Sequence, residues 1–446
     1  MVVRFLSSHE GTRDLLAASA PGRADFLNTH QDYKGLPVVP VALDLRTYMV
    51  ARKTDSTNIV EVTSLDLKEK GEDYEDNFGI REDIEYAEKG FFGNYLRAVA
   101  KVALATHRNW VGINKVHNFG LRVAIRSKVP VSAGLASSAA LEVCFATLLN
   151  RIYDMKLGER GIAEVSFQAE NVELGIPCGR LDQYGSSFGG VTLVECRPPF
   201  NVKRIPFTDL CFVVVDSGIR HSTAEIHPVR QDELNRGLRA LLENTSISSD
   251  LKKKISPWYD QTEWSSLSED ELLPYLTTID RAAQKRIIFT LRMQRSTEIA
   301  LSLMENRIGA DKFALEAREI PDFAACLAPL RSHAPNSLTR KLQLIGSIMN
   351  YQHVLLRDLY DVSLPKVEKI REAMLGAKSY GVKISGAGLG GSLIALVSNK
   401  KRAEATLEAA VEEGAKQGWI SSVGSGARME NVKDYFIRSI IKEHDI

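Results

Sequence analysis

Cysteine is scarce in this chain of 446 residues: Cys144, Cys178, Cys196, Cys211 and Cys326 stand far apart, with no C-x-x-C pair. An odd number at such gaps argues against both a disulfide framework and a zinc site, and implies a reducing compartment. An excess of one charge is lacking too. The 57 basic and 56 acidic residues leave a net +1, without the basic surplus of a nucleic-acid binder. No apolar run approaches the roughly 18 residues of a membrane span. The N-terminal stretch MVVRFLSSHEGTRDLL lacks the apolar centre of a signal peptide. The expectation is a cytoplasmic protein that binds neither nucleic acid nor membrane. Internal repeats and low-complexity tracts are also absent.

What remains is average globular composition, 44% hydrophobic and 25% charged. The length is too great for one compact core, so two domains are expected. In NFGLRVAIRSKV (118–129), Leu121, Val123 and Ile125 alternate with Arg122, Ala124 and Arg126, a strand pattern. In SSAALEVCFATLLNRIYD, Leu141, Phe145, Leu148 and Ile152 recur at helical spacing. GIAEVSFQAENVELG reads as a second helix closed by Gly175, with Ile162, Val165, Ala169 and Val172 on one face. From about Asp209 a short buried strand, CFVVVDSG, leads into mostly helical sequence until a strand-rich stretch at 380–397. Residues 64–89 and 246–276 are polar and read as solvated insertions.

Between the strand at 118–129 and the helix after it lies Pro130-Val-Ser-Ala-Gly-Leu-Ala-Ser-Ser-Ala-Ala140. Small residues let backbone approach an anion, and a helix start offers unpaired N–H groups and a positive dipole end. Ser137 and Ser138 fall in the first turn, where a hydroxyl can cap the helix or ligate Mg²⁺. No Gly-Lys dipeptide occurs, which rules out a Walker A loop, and neither HRD nor DFG is present. Gly386-Ala-Gly388-Leu-Gly390-Gly391 fits G-x-G-x-x-G, but the strand pattern SLIALV follows it where a dinucleotide fold needs a helix. It reads instead as a glycine turn that lets backbone come close to a ligand. GSSFG at 185–189 fits a nucleophile elbow without the strand–turn–helix context, so serine hydrolase chemistry is a poor match.

Phosphoryl transfer needs a phosphate cradle, Mg²⁺ ligands, a carboxylate for the hydroxyl proton and a cation near the developing charge. Arg23, Asp32, Glu170 and Asp182 are candidates for these roles, although each alone is more often a surface charge or ion-pair member. Spacing cannot show whether they converge.

Taken together, six stretches resemble the GHMP kinases, and galactokinases most closely, along nearly the whole chain. APGRADFLNTHQDYKG looks like A-P-G-R-V-N-L-I-G-E-H-T-D-Y-N-G, and PVSAGLASSAALE like the ATP loop P-x-x-x-G-L-S-S-S-A-A. PCGRLDQYGSSFG is similar to P-C-G-I-M-D-Q-F. DSGIRHSTAEIHPVR, LRDLYDVSLPKVEKI and KISGAGLGGSLIALV match three further stretches. The resemblance implies two α/β domains (mixed α+β), placed here at 1–208 and 209–446, with the active site in the cleft between them. It implies ATP-dependent phosphorylation of a free sugar at its anomeric hydroxyl, with ATP and Mg²⁺ as cofactors. Galactose is the first expectation; a uronic acid or another aldose is the alternative.

Residue by residue, the resemblance makes Asp182 the proton acceptor or anchor near the sugar O1 and Arg23 the neutralising cation. Pro130, Ser132, Gly134, Leu135, Ala136, Ser137, Ser138, Ala139 and Ala140 would hold the ATP phosphates. Ser138 and Glu170 would ligate Mg²⁺. Asp32, with His30, Gly179 and Gly388, would face the sugar. Thr29 stands where galactokinases carry the glutamate that binds O6, and His227 where they often carry tyrosine. A catalytically silent sugar sensor would carry a damaged ATP loop, whereas GLASSAA is complete. Other GHMP kinases, such as those for mevalonate or homoserine, leave DYKG, PCGRLDQ and IRHSTAE unexplained.

Overall fold

The computed structural model describes residues 15–55, 58–80, 84–111, 119–131, 133–220, 223–327 and 338–444. The chain first lays down β1 (Leu15–Leu27), β2 (Val39–Thr54), β3 (Ile59–Ser64), β4 (Glu75–Gly79), β5 (Gly120–Ser127), β6 (Val191–Val194) and β7 (Val202–Ile205). It continues with β8 (Cys211–Asp216), β9 (Gly381–Ser385), β10 (Ser392–Val397), β11 (Gln417–Ser422) and β12 (Arg428–Glu430). Two sheets result. One has eight strands, running β12-β1-β2-β5-β3-β4 with β6 and β7 attached at β2; the other has four, β11-β8-β10-β9. This is the mixed α/β class expected.

The apolar face of β5, with Leu121, Val123 and Ile125, is covered by the helices Gly93–Val111 and Ser137–Ile152. Its other face is only partly solvated. Ala124 is buried beneath Ile437 and Ile440 of the helix Tyr435–His444. The division expected after residue 208 falls between β7 and β8, but 209–446 is not one contiguous unit. β12 pairs antiparallel with β1, Ala17 opposite Glu430, so residues 428–444 return to the first sheet. A single core cluster then joins Phe26, Val39 and Val41 of the first sheet to Phe212, Ile394 and the helices Arg281–Met304 and Leu338–Asp358.

Three further expectations are corrected. The stretch 246–276 is not a solvated excursion: Ile247, Leu251, Ile255, Trp264, Leu267, Leu272 and Leu276 build a small core with Leu234, Leu238 and Ile287. Its apolar residues are spread among charges, which hid the periodicity. The stretch 64–89 adds β4 to the sheet edge, buries Phe78, Ile80 and Ile84, and seats Asp76 against Arg97 at 2.5 Å. The helix at 159–168 continues as a π-helical turn, Ala169–Glu173. The wider turn rotates the residues within it away from the earlier helical register, so Val172 is 66% exposed while Glu170 is 6% exposed. Such turns gather at functional positions.

Candidate active site

The first functional side chains come from β1. Its pairing with β2 slips twice, between Pro21 and Arg23 and between Asp25 and Leu27. Bulges bend a strand and re-aim its residues. Arg23, 6% exposed, donates from both Nε (2.9 Å) and Nη2 (2.5 Å) to Asp182 Oδ1. Its Nη1 donates to the Gly134 carbonyl at 2.9 Å and lies 3.1 Å from Asp25 Oδ1. Asp182 stands in the first turn of the helix Leu181–Phe188. With both donors on Oδ1, its Oδ2 receives no hydrogen bond from the described residues. Burial raises the Asp182 pKa, and Arg23 opposes the rise.

The loop of small residues at 130–140 lies directly against this pair. Gly134 (φ 70°) and Ala136 (φ 55°) are both left-handed, and for alanine that conformation costs about 1 kcal/mol or more. The helix Ser137–Ile152 then starts with no side chain capping it. Its free N–H groups suit an anion. Pro130, Ser137 and Ser138 line a cleft of about 1320 Å³ whose far wall includes Phe91, Phe92 and Tyr95. Leu135, Ala139 and Ala140 are buried and anchor the loop. Ser132 lies outside the described residues, as do His221 and Ser222 of the fourth matched stretch.

Behind the loop, Glu170 accepts from Gln183 Nε2 at 2.5 Å and lies beside Ser138 and Glu142. Burial and then Asp182 push its pKa up to about 7. Glu142 is wholly buried; burial and then Glu170 raise its pKa well above the usual range, so it keeps a proton. Gln183 also donates to Glu142 at 3.2 Å. Among the described residues, no three His, Cys, Asp or Glu gather as a protein-only metal cage would. Mg²⁺ carried on a nucleotide needs only one or two carboxylates, with phosphates and waters completing the shell. A hydroxyl in the first turn beside one carboxylate, Ser138 with Glu170, fits that donor set.

The other end of the site is built by the loop after β1. Asp32 begins a single 3₁₀ turn, Asp32–Lys34. Gly179 packs so closely that any side chain there would collide with Asp32 Oδ2. Burial, and then Asp25, raise the Asp32 pKa to about 6. His30 Nε2 donates to the Ala387 carbonyl at 3.1 Å, and burial keeps the ring neutral. His227 sits 5.4 Å from His30 and 5.3 Å from Tyr33 between ring centres, and its buried Nε2 has no hydrogen-bond partner. The Lys34 amine, fully buried, lies over the rings of Tyr33, Phe289 and Tyr360. Thr29, 3% exposed, accepts from Lys383 Nζ at 2.7 Å.

The glycine turn between β9 and β10 touches the site differently from expectation. Gly388 itself is closed off by Val362, whose Cβ would lie 2.6 Å from a side chain there. The turn reaches the site through the Gly386 N–H, 3.2 Å from Asp25 Oδ2, and through the Ala387 carbonyl.

The sequence reading missed Asp25, Glu142, Gln183 and Lys383. Asp25 had a signal, since it lies two residues after Arg23 on the same face of a strand. Lys383 had none, because its partner Thr29 is 354 residues away.

Residues 4–53 match the galactokinase galactose-binding signature, 94–190 the GHMP kinases N terminal domain and 334–416 the GHMP kinases C terminal domain. A Roseiflexus galactokinase is 32% identical over 401 residues, covering 87% of this chain and 85% of its own length. A Chloroflexus aurantiacus galactokinase is 28% identical over 386 residues, covering 85% and 83%. Among solved structures, Lactococcus lactis galactokinase complexed with galactose superposes with a TM-score of 0.71 at 20% identity, covering 96% of this chain and 98% of that one. Methanococcus jannaschii mevalonate kinase gives 0.58 at 17% identity, covering 92% and 98%. The chain belongs to the galactokinase family of GHMP kinases.

Proposed function

We propose that the protein transfers the γ-phosphoryl group of ATP to the anomeric hydroxyl of a free aldose in the galactose configuration, giving the sugar 1-phosphate and ADP. The observation that carries this reading is the one-sided clamp on Asp182. Arg23 occupies Oδ1 with two donors and leaves Oδ2 free to accept the O1 proton. The same guanidinium donates to the Gly134 carbonyl of the loop before the helix, which supports a role for it as the cation near the transferred phosphoryl group. The start of the helix at Ser137 holds the phosphates with backbone N–H groups, and Asp32, His30 and His227 orient the ring hydroxyls. Ser138 and Glu170 would hold Mg²⁺, which when bound neutralises phosphate oxygens and orients them for in-line attack. Five free cysteines fit a cytoplasmic, reducing location, and no helix among the described residues is long and apolar enough to cross a membrane.

The test is ADP release with MgATP across a panel of free sugars, repeated with Asp182→Asn. A turned-over aldose is expected. The variant should lose about 10²–10⁴-fold in turnover with ATP affinity nearly unchanged. Wild-type turnover in the variant would refute the role of Asp182, and silence across the panel would refute the kinase reading.

A further inference from the structure

The end of the sugar site at Thr29 holds a positive charge without a matching anion. Lys383 is fully buried. Its three N–H groups go to the Thr29 hydroxyl (2.7 Å), the Asp25 carbonyl (2.9 Å) and the Ile384 carbonyl (2.8 Å), all neutral oxygens. Among the described residues no carboxylate stands within ion-pairing distance of it. Asp25, the anion that acts on it at longer range, is paired with Arg23. A buried ammonium without a counter-charge is costly, and burial lowers the Lys383 pKa only to about 8. Three acceptor oxygens around one nitrogen are the setting of an ammonium, which donates three hydrogen bonds and accepts none.

The direction of one hydrogen bond matters most. An ammonium can only donate, so Thr29 Oγ1 accepts from Lys383 and must offer its own proton elsewhere. No described residue takes that proton. A glutamate here, as in the galactokinase signature, would neutralise the lysine and present only acceptor oxygens. Threonine presents a donor backed by a cation.

We propose that the preferred substrate is a hexuronic acid, whose C6 carboxylate accepts from Thr29 Oγ1 and supplies the counter-charge to Lys383. This rests on the sugar 1-kinase reading and names the substrate class of the same site. A charge-assisted hydrogen bond is worth roughly 10–100-fold in a binding constant.

The experiment compares kcat/KM for galacturonate, galactose and 6-deoxygalactose with MgATP. Galacturonate is expected to exceed galactose by about 10-fold or more. Thr29→Val should erase that advantage, and Thr29→Glu should invert it, because the new carboxylate pairs with Lys383 and repels the substrate's. Both variants are first checked for a native thermal transition, and equilibrium binding of galacturonate gives a second readout independent of turnover. Galactose outpacing galacturonate in the wild type would overturn the proposal and leave the kinase reading intact. An unchanged ratio in both threonine variants would overturn it as well. If no sugar and no sugar acid is turned over, the kinase reading falls and takes this proposal with it.

Discussion

At the scale of single residues, the site works by giving similar groups different surroundings. Asp182 and Asp32 are both aspartates whose pKa burial raises, yet only Asp182 has an arginine bonded to it. Asp32 has no such partner, and its pKa reaches about 6. As pH falls through about 6 it takes up a proton and stops accepting from sugar hydroxyls, so the sugar Kd should rise about tenfold per pH unit below that point. The linked stability runs the opposite way. The fold holds this proton more tightly than the unfolded chain does, so that contribution is present at low pH and is lost as pH rises through about 6. Titrating sugar affinity across about pH 5–8 checks the first statement. A flat profile would remove Asp32 from the contact set.

At the scale of elements, the π-helical turn Ala169–Glu173 is what converts an ordinary amphipathic helix into part of the site. It swings Glu170 in toward Ser138 and Gln183 while Val172 turns out. Glu170→Gln keeps the hydrogen bond from Gln183 but removes the anion. The Mg²⁺ concentration for half-maximal rate should then rise about 10-fold or more, with the KM for sugar little moved. A normal Mg²⁺ requirement in that variant would place the metal elsewhere.

The sequence disclosed elements of this kind unevenly. A strand, a loop of small residues and a helix come one after another between residues 120 and 152, so these elements were legible from local pattern alone. Arg23 and Asp182 came from motifs, but that they meet is a fact of the fold. A π turn has no periodic signature, because it is a single irregular turn inside a regular pattern. Lys383 sits in a strand that reads as VKIS, and nothing local distinguishes a lysine folded inward from one that faces solvent.

At the scale of the whole molecule, the two sheets are bound by a shared core and by a chain that crosses between them more than once. Residues 428–444 cover β1 and β5 with Ile437, Ile440 and Ile441, all buried. Three such side chains are worth about 5–9 kcal/mol together at 1.5–3 kcal/mol each, comparable to the net stability of a whole domain. Truncation after residue 427 should therefore abolish the cooperative thermal transition and expose the edge of β1. A truncated chain that melts like the parent would show the segment to be an ornament.

That return has a consequence for how the protein is made. β1 and β2 leave the ribosome well ahead of the strand that closes the β1 edge, which is encoded at residues 428–430. At cellular rates of synthesis, on the order of tens of seconds separate the two. Through that interval the nascent chain carries an open strand edge, the kind of surface that recruits other strands. The active site cannot be completed before β9, β10 and the turn between them have been made. How long the edge of β1 stays open is thus set by the order of the strands, whatever the final stability of the folded enzyme.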